Sequence, residues 1–312
     1  MKEEKKEFKY NTKIKDDVEI HLITNRMGRK YWVEKEDKLY EQRFARENGP
    51  YQVRNLKFIR FLYPNNPIIV DIGMNVGNNT MEYGTWAKKV YGFEPFKRTF
   101  ELAEENIKLN KTLKLEGQYF NSKKNIYEHN KLKKDGWWKQ DEKYASLDIV
   151  ADIEIFNIGL GNTEKDLFME HHDKNAGHNC VLSEKRKHIT KNKLFKVKMN
   201  KLDNYNFGKI DAIKIDVEGF EYEVVKGSKN IIKKYRPTFQ LEMVENQFKR
   251  FNATPEDIVN FFINNDYIFC MFNGTNLGKK WKKVKKVMDY FFVPKELFNK
   301  KLNIQKTLSD IQ

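Results

Sequence analysis

The sequence predicts an α/β fold built on a mostly parallel sheet, and three observations carry that prediction. From residue 67 onward, short apolar runs alternate with amphipathic stretches, the pattern of strands joined by crossover helices. The first of these runs, PIIVDI, stops at a glycine-bearing turn that opens a helix. In 312 residues, 23 Phe, 15 Tyr and 5 Trp supply the bulky core material that a disordered chain lacks, although only 39% of residues are hydrophobic.

The elements follow in order. Residues 1–60 contain a hairpin, VEIHLI then KYWVE around a turn at 25–29, and then helical material leading to Phe61; this region reads as an amino-terminal cap. Residues 61–312 read as the main domain. Its strands are expected at 67–72, 90–94, 153–157, 212–216 and 238–242, and its helices at 79–89, 96–110 and 255–264, with a loop and one crossover helix within 217–235. Segments 267–272 and 288–293 read as a terminal antiparallel hairpin around a Lys-rich linker. Residues 111–150, which include Trp137 and Trp138, are too long for a structureless connection and are expected to form an insertion with its own helices.

Charge and cysteine content narrow the function. Lys and Arg number 59 against 44 Asp and Glu, a net charge of +15, so the surface attracts anions. Only ten of those cations are Arg, whereas bidentate recognition of phosphates and bases favours Arg, so a solvated basic surface is preferred to a nucleic-acid face. No apolar stretch approaches the roughly 20 residues of a membrane-spanning helix, and the start, MKEEKKEFKYNTK, is charged where a signal peptide is apolar; a cytoplasmic protein without a membrane span is expected. Cys180 and Cys270 lack CxxC spacing, which argues against a disulfide framework and a thiolate zinc cluster. His171, His172 and His178 accordingly read as a solvated loop, with no Cys or spaced His pair completing a tetrahedron; His178 is kept as an acceptor-side candidate because its loop can overhang the site.

The strongest local signal is VDIGMNVGNNT, residues 70–80. A strand ends in Asp71, Gly73 and Gly77 let the backbone turn and approach a ligand, and a helix opens with its free N–H groups facing the same space. The spacing is G-x-x-x-G in place of the dinucleotide G-x-G-x-x-G, which favours S-adenosylmethionine over NAD: that cofactor has no pyrophosphate to cradle, and its ammonium group suits a carboxylate. The next strand ends GFEP, placing Glu94 about twenty residues beyond the loop, where a carboxylate can accept both ribose hydroxyls.

The series VDIGMNVGNNT, GFEP, NIGLGN and IDAIKIDVEGFEYEVVKGS resembles the FkbM-type S-adenosylmethionine-dependent methyltransferases over roughly residues 67–270, with DVEGFE its most specific part. The resemblance implies a Rossmann-like class I fold and methylation of hydroxyl oxygens. It implies that Asp71, Gly73, Asn75, Gly77 and Thr80 surround the methionine end of the cofactor, Glu94 the ribose, and Asn157 with Ile158 the adenine edge. The sequence departs from the family at Met74, in the length of the insertion, and at 171–180.

Topology restricts the chemistry, because ligands of open parallel sheets bind beyond the carboxyl ends of the strands. Asp216, at such an end and counted with both cofactor and acceptor, joins Glu218 as the best carboxylate for orienting a hydroxyl or taking its proton, and Glu242 can add a third contact. Lys214 alternates with Asp216 and can point the same way, lowering its pKa. A divalent cation on these carboxylates is the less favoured addition. Two basic runs, 185–201 and 279–286, are candidates for flanking the mouth of the acceptor site and suit a phosphorylated or otherwise anionic acceptor. The reading is an O-methyltransferase acting on a saccharide or a small glycosylated or phosphorylated acceptor. The alternatives are an RNA methyltransferase, suggested by the charge, Trp137, Trp138 and Trp281, and a non-catalytic binding protein on the same fold.

Overall fold

The computed structural model describes residues 11–25, 28–37, 52–113, 148–172, 178–183, 193–278 and 289–303. Strands β1 (Asn11–Lys15), β2 (Val18–Thr24) and β3 (Lys30–Glu34) form a small antiparallel sheet, so the expected hairpin gains a third strand. Helix α1 (Val53–Leu62) leads into β4 (Ile68–Ile72), α2 (Asn78–Tyr83), β5 (Lys89–Phe93), α3 (Lys97–Lys111) and β6 (Asp152–Phe156). Five short strands follow: β7 (Gly159–Leu160), β8 (Leu167–His171), β9 (Cys180–Val181), β10 (Lys193–Val197) and β11 (Met199–Asn200). The chain then returns through β12 (Ala212–Ile215), α4 (Glu221–Lys226), α5 (Lys229–Tyr235) and β13 (Thr238–Glu242). Helices α6 (Glu245–Phe248) and α7 (Pro255–Ile263) precede the last two strands, β14 (Tyr267–Cys270) and β15 (Asp289–Pro294).

Seven strands make the central sheet in the order β14-β15-β13-β12-β4-β5-β6, parallel except where β15 runs between β13 and β14. The expected mostly parallel sheet with an antiparallel terminal pair is present. Chain order reverses between β4 and β12, which makes the carboxyl ends of these two strands the switch point where an open sheet leaves a crevice.

Alternation along the strands sorts the core into two layers. Val70, Ile72, Ile213, Ile215, Phe239, Leu241 and Phe292 pack on the face that buries Val224, Ile232 and Phe262 of α4, α5 and α7. Ile69, Ala212, Phe291 and Val293 pack on the other, against Leu56, Phe58, Ile59 and Leu62 of α1. On that second face the pattern is interrupted by polar residues in register: Lys214 lies beside Asp71 on one side and Gln240 on the other. All three are buried, so they form a polar stripe under the switch point.

Two expected helices are shorter than their periodicity suggests. The one expected over 79–89 stops at Tyr83, because Gly84 turns the chain where an added Cβ would lie 3.0 Å from both Ile149 and Ile153. The stretch 217–235 holds two helices instead of one, broken at Gly227, whose Cα sits so close to the Gly161 carbonyl that a Cβ would come within 1.9 Å of it. Most of the expected insertion, including Trp137 and Trp138, lies outside the described residues, as do the basic run 279–286 and Trp281. The run 185–201 is described from 193 on, where it forms β10, the outer strand of the sheet β10-β8-β9.

The amino-terminal sheet docks behind the glycine turn through helix asparagines. Asn106 accepts a hydrogen bond from the Trp32 N–H and donates to the Trp32 and Val76 carbonyls; one turn later, Asn110 makes the same reciprocal pair with Lys30. Two amides on α3 thus satisfy the free edge of β3, which otherwise invites pairing with another chain. Beneath them the Arg29 guanidinium donates to Glu82 at 2.5 Å with both side chains buried, and Tyr31 donates to Asn78 Oδ1. Replacing Asn106→Ala strands the half-buried backbone pair of Trp32 and the buried Val76 carbonyl, so it is expected to lower unfolding free energy by about 1–3 kcal/mol in urea denaturation; an unchanged midpoint would show that the sheet is held by its apolar contacts alone.

Candidate active site

The turn after β4 is built from backbone that only certain residues tolerate. Gly73 has φ +77°, and a Cβ there would lie 1.9 Å from the Asp216 carbonyl oxygen, so β4 and β12 approach each other only over glycine. The N–H groups of Gly73 and Met74 both donate to the Phe93 carbonyl, fixing the turn to the end of β5. Asn75 is left-handed at φ 52°, and Gly77, at φ 86°, caps α2.

Glu94 joins this turn to the next. One carboxylate oxygen accepts from the Asn75 N–H at 3.1 Å and the other from the Phe96 N–H at 2.9 Å. Burial pushes its pKa up to about 7 against the pull of those two hydrogen bonds. Each oxygen keeps a lone pair for a further donor. Asn157 braces the same corner by donating to the carbonyls of Glu94 and Pro95.

The segment after β12 carries the second part of the site. Glu218 is left-handed at φ 58°, and Gly219 follows at φ +105° where a Cβ would come 2.6 Å from the Gln247 carbonyl oxygen; the turn is pressed against α6. Gln247 donates to the Glu218 carboxylate and Arg250 to its carbonyl. The helix amino terminus here is served by Glu221, whose Oε1 accepts from the N–H groups of Val217 and Gly219, which leaves Asp216 and Glu218 to face the crevice.

These turns enclose a cavity of about 290 Å³ at the carboxyl ends of β4, β5, β12 and β13. Of the residues singled out from sequence, Gly73, Asn75, Glu94, Ile158, His178, Asp216, Glu218 and Glu242 line it. Asp71 and Thr80 lie beneath: Thr80 Oγ1 donates to Asp71 Oδ2 at 2.7 Å, and Asp71 Oδ1 is 3.6 Å from the Lys214 ammonium. Gly77 caps the helix, and Asn157 stands outside as the brace already described. Lys214 lines the cavity with its Nζ 3.1 Å from Asp216 Oδ2. Burial opposes its charge, but Asp216 and Asp71 outweigh that and hold its pKa well above the ordinary lysine range. Asn78, Asn79, Phe220, Met199 and Gln247 also line the cavity without having been anticipated. Gln247 had no readable signal: it reaches the site because α6 folds back on Gly219, a contact distant in sequence.

Asp216, Glu218 and Glu242 bring carboxylate oxygens within 4.8 Å of one another. Burial, with the charges of Asp216 and Glu221 added, pushes Glu218 up to about 8; burial, with Asp216 and Glu218, raises Glu242 above the usual carboxylate range. Among the described residues a second group, Glu170, His172 and Cys180, also gathers donor atoms within 4.8 Å. It corrects the reading of His171 and His172 as a solvated loop, whereas His178 is exposed: His171 is 2% exposed and stacks on Phe96 at 4.6 Å, while Cys180 comes to His172 from the neighbouring strand. Both cysteines are buried, and neither forms a disulfide.

With this geometry in hand, the sequence can be set beside known proteins. The profile of the methyltransferase FkbM domain matches residues 71–269, from the end of β4 to β14. The chain belongs to the FkbM methyltransferase family. It carries a methyltransferase domain, built on an α/β fold with a mostly parallel central sheet. No curated protein matches it significantly. Similar solved structures include an FkbM methyltransferase from Methylobacillus flagellatus KT, 11% identical with a TM-score of 0.39 over 73% of this chain. This chain covers 43% of that protein's length. An rRNA methylase from Streptococcus thermophilus is 10% identical with a TM-score of 0.37, covering 78% of this chain and 94% of its own. A candidate methyltransferase from Streptococcus mutans, in complex with SAH, is 11% identical with a TM-score of 0.35, covering 78% and 96%.

The carboxyl groups of the cavity and of the turn beside it fix a pH dependence. Glu94 and Glu221 are held near 7 and Glu218 near 8, against about 4.3 for an unfolded Glu. Between those values the folded chain binds more protons than the unfolded one, so stability falls as pH rises from about 5 to 8. Urea midpoints without ligand should therefore be higher at pH 5.5 than at pH 8.5, and Glu218→Gln should narrow the difference; a flat profile would contradict the burial of these groups.

Proposed function

We propose that this enzyme transfers a methyl group to a hydroxyl oxygen of a saccharide or similar polyhydroxyl acceptor. The observation that carries the reading is the convergence of Asp216, Glu218 and Glu242 in the same cavity as Glu94 and the glycine turn. Hydroxyl groups donate hydrogen bonds to carboxylates, and an array of three suits an acceptor that presents several. It disfavours a phosphate beside the reacting oxygen, so any anionic part of the acceptor belongs outside this wall.

The residues fit S-adenosylmethionine, which supplies an activated methyl on its sulfonium when bound. Glu94 retains two lone pairs for the ribose hydroxyls, Gly73 and Asn75 offer backbone next to the methionine end, and Ile158 and Leu160 provide an apolar surface for the adenine. Because the leaving group is neutral, most of the acceleration comes from positioning the acceptor. Asp216, fixed by Lys214, accepts the hydrogen bond of the reacting hydroxyl and orients its oxygen. Glu218, made more basic by burial and by its carboxylate neighbours, takes the proton on its carboxylate oxygen. Glu242 and His178 line the acceptor side and contact further hydroxyls.

Transfer of labelled methyl from S-adenosylmethionine to a panel of mono- and oligosaccharides tests the proposal. Asp216→Asn and Glu218→Gln are expected to lower kcat about 100-fold or more while S-adenosylhomocysteine affinity stays within about threefold. The wild-type kcat/KM should rise with pH and level off above about 8, and Glu218→Gln should remove that rise. Equal loss of affinity and transfer in Asp216→Asn would make Asp216 a cofactor ligand instead, and labelling of RNA but no saccharide would overturn the acceptor class.

A further inference from the structure

We propose that Glu170, His172 and Cys180 bind a zinc ion, at a site separate from the carboxylates that line the cavity. Strand geometry places these three donors together. Glu170 on β8 is paired with Cys180 on β9 across the antiparallel ladder, so their side chains leave the same face. His172 follows Glu170 by two residues and falls on that face as well, whereas His171 points to the other, toward Phe96 and Glu34. The carboxylate, imidazole and sulfur atoms lie within 4.8 Å of one another. A tetrahedral zinc ion with bonds of about 2.0–2.3 Å needs its donors about 3.3–3.8 Å apart, so small side-chain rotations close the set.

The chemistry of the surroundings suits a metal-bound thiolate. Arg250 Nη1 lies 3.2 Å from Cys180 Sγ, so a cation stands beside the sulfur to balance the negative charge that a zinc-bound thiolate carries. Glu170 and Cys180 are each 1% exposed, while the His172 side chain is 29% exposed, so the inner donors are shielded from water and the imidazole marks the way in. One carboxylate, one imidazole and one thiolate make a borderline-soft set that selects zinc over magnesium or calcium. Three protein donors leave the fourth position for water. The ion ties β8 to β9 at the base of the segment that brings His178, Asn179 and Val181 to the cavity wall, so it acts by positioning that wall. The site does not depend on the acceptor proposed above.

The test uses the full-length chain without an affinity tag, dialysed against metal-free buffer. Mass spectrometry of the metal content is expected to give one zinc per chain, and replacement by cobalt to give a thiolate-to-cobalt charge-transfer band in the near ultraviolet. Loss of an outer partner of a metal ligand already costs about 10–100-fold in affinity, so Cys180→Ser and His172→Gln should each weaken zinc binding by about 100-fold or more. Cys180→Ser should also abolish the band, while Glu242→Gln leaves it intact. Folded wild-type protein that takes up zinc or cobalt without the thiolate band, or that retains neither, would overturn the proposal without reliance on any variant.

Discussion

The Lys214 ammonium, held between Asp71 and Asp216, is the contact on which the active-site architecture depends. Its strand, β12, lies beside β4 in a register that sets Lys214 next to Asp71, and the alternation that buries Ile213 and Ile215 on one face turns Lys214 to the other. Asp71 is fully buried and also accepts from Thr80, so the same carboxylate anchors the helix that begins at the glycine turn. Asp216 takes the other side of the cation and reaches the cavity. Removing one member of such a buried set leaves an uncompensated charge, typically at a cost of about 3–5 kcal/mol. One side chain therefore fixes both the glycine turn and the carboxylate of Asp216 at the same cavity.

Around that centre, close backbone approach replaces side-chain bulk. Gly73 lets β4 meet the carbonyl of Asp216, and Gly219 lets the turn after β12 meet that of Gln247, so the two turns lining the cavity are each shut by a missing Cβ. Glu94 then couples the first turn to the end of β5 through two backbone N–H groups while keeping capacity for a ligand. The cavity is acidic although the chain carries a net charge of +15. Overall charge governs how the molecule meets other molecules; the chemistry inside is set by which few side chains the strand ends bring together.

The fold was legible where physical periodicities are strong. The strands of the central sheet are short and mostly apolar, with β6 alternating as DIEIF, and the order of runs and amphipathic stretches suffices for a doubly wound sheet. What escaped were features decided by contacts between distant segments: the end of α2 at Gly84, set by Ile149 and Ile153, and the break at Gly227, set by the Gly161 carbonyl. The site divides the same way. Gly73, Asn75, Glu94, Asp216 and Glu218 sit at strand ends in readable motifs and do line the cavity. Asp71 and Thr80 belong to the same motif but lie beneath it, because alternation along β4 turns Asp71 into the polar stripe. The pairing of Cys180 with Glu170 was invisible, since nine residues of intervening sequence conceal a strand register that only the folded chain displays.

Calorimetric titration of the purified chain with S-adenosylhomocysteine tests whether Glu94 and the glycine turn hold the methyl donor. Micromolar binding is expected of the wild type and a loss of about tenfold or more in Glu94→Gln, because a charged acceptor shared by two ribose hydroxyls becomes a neutral one. Folded protein that does not bind S-adenosylhomocysteine, or that binds it equally well in Glu94→Gln, would contradict the assignment of this cavity.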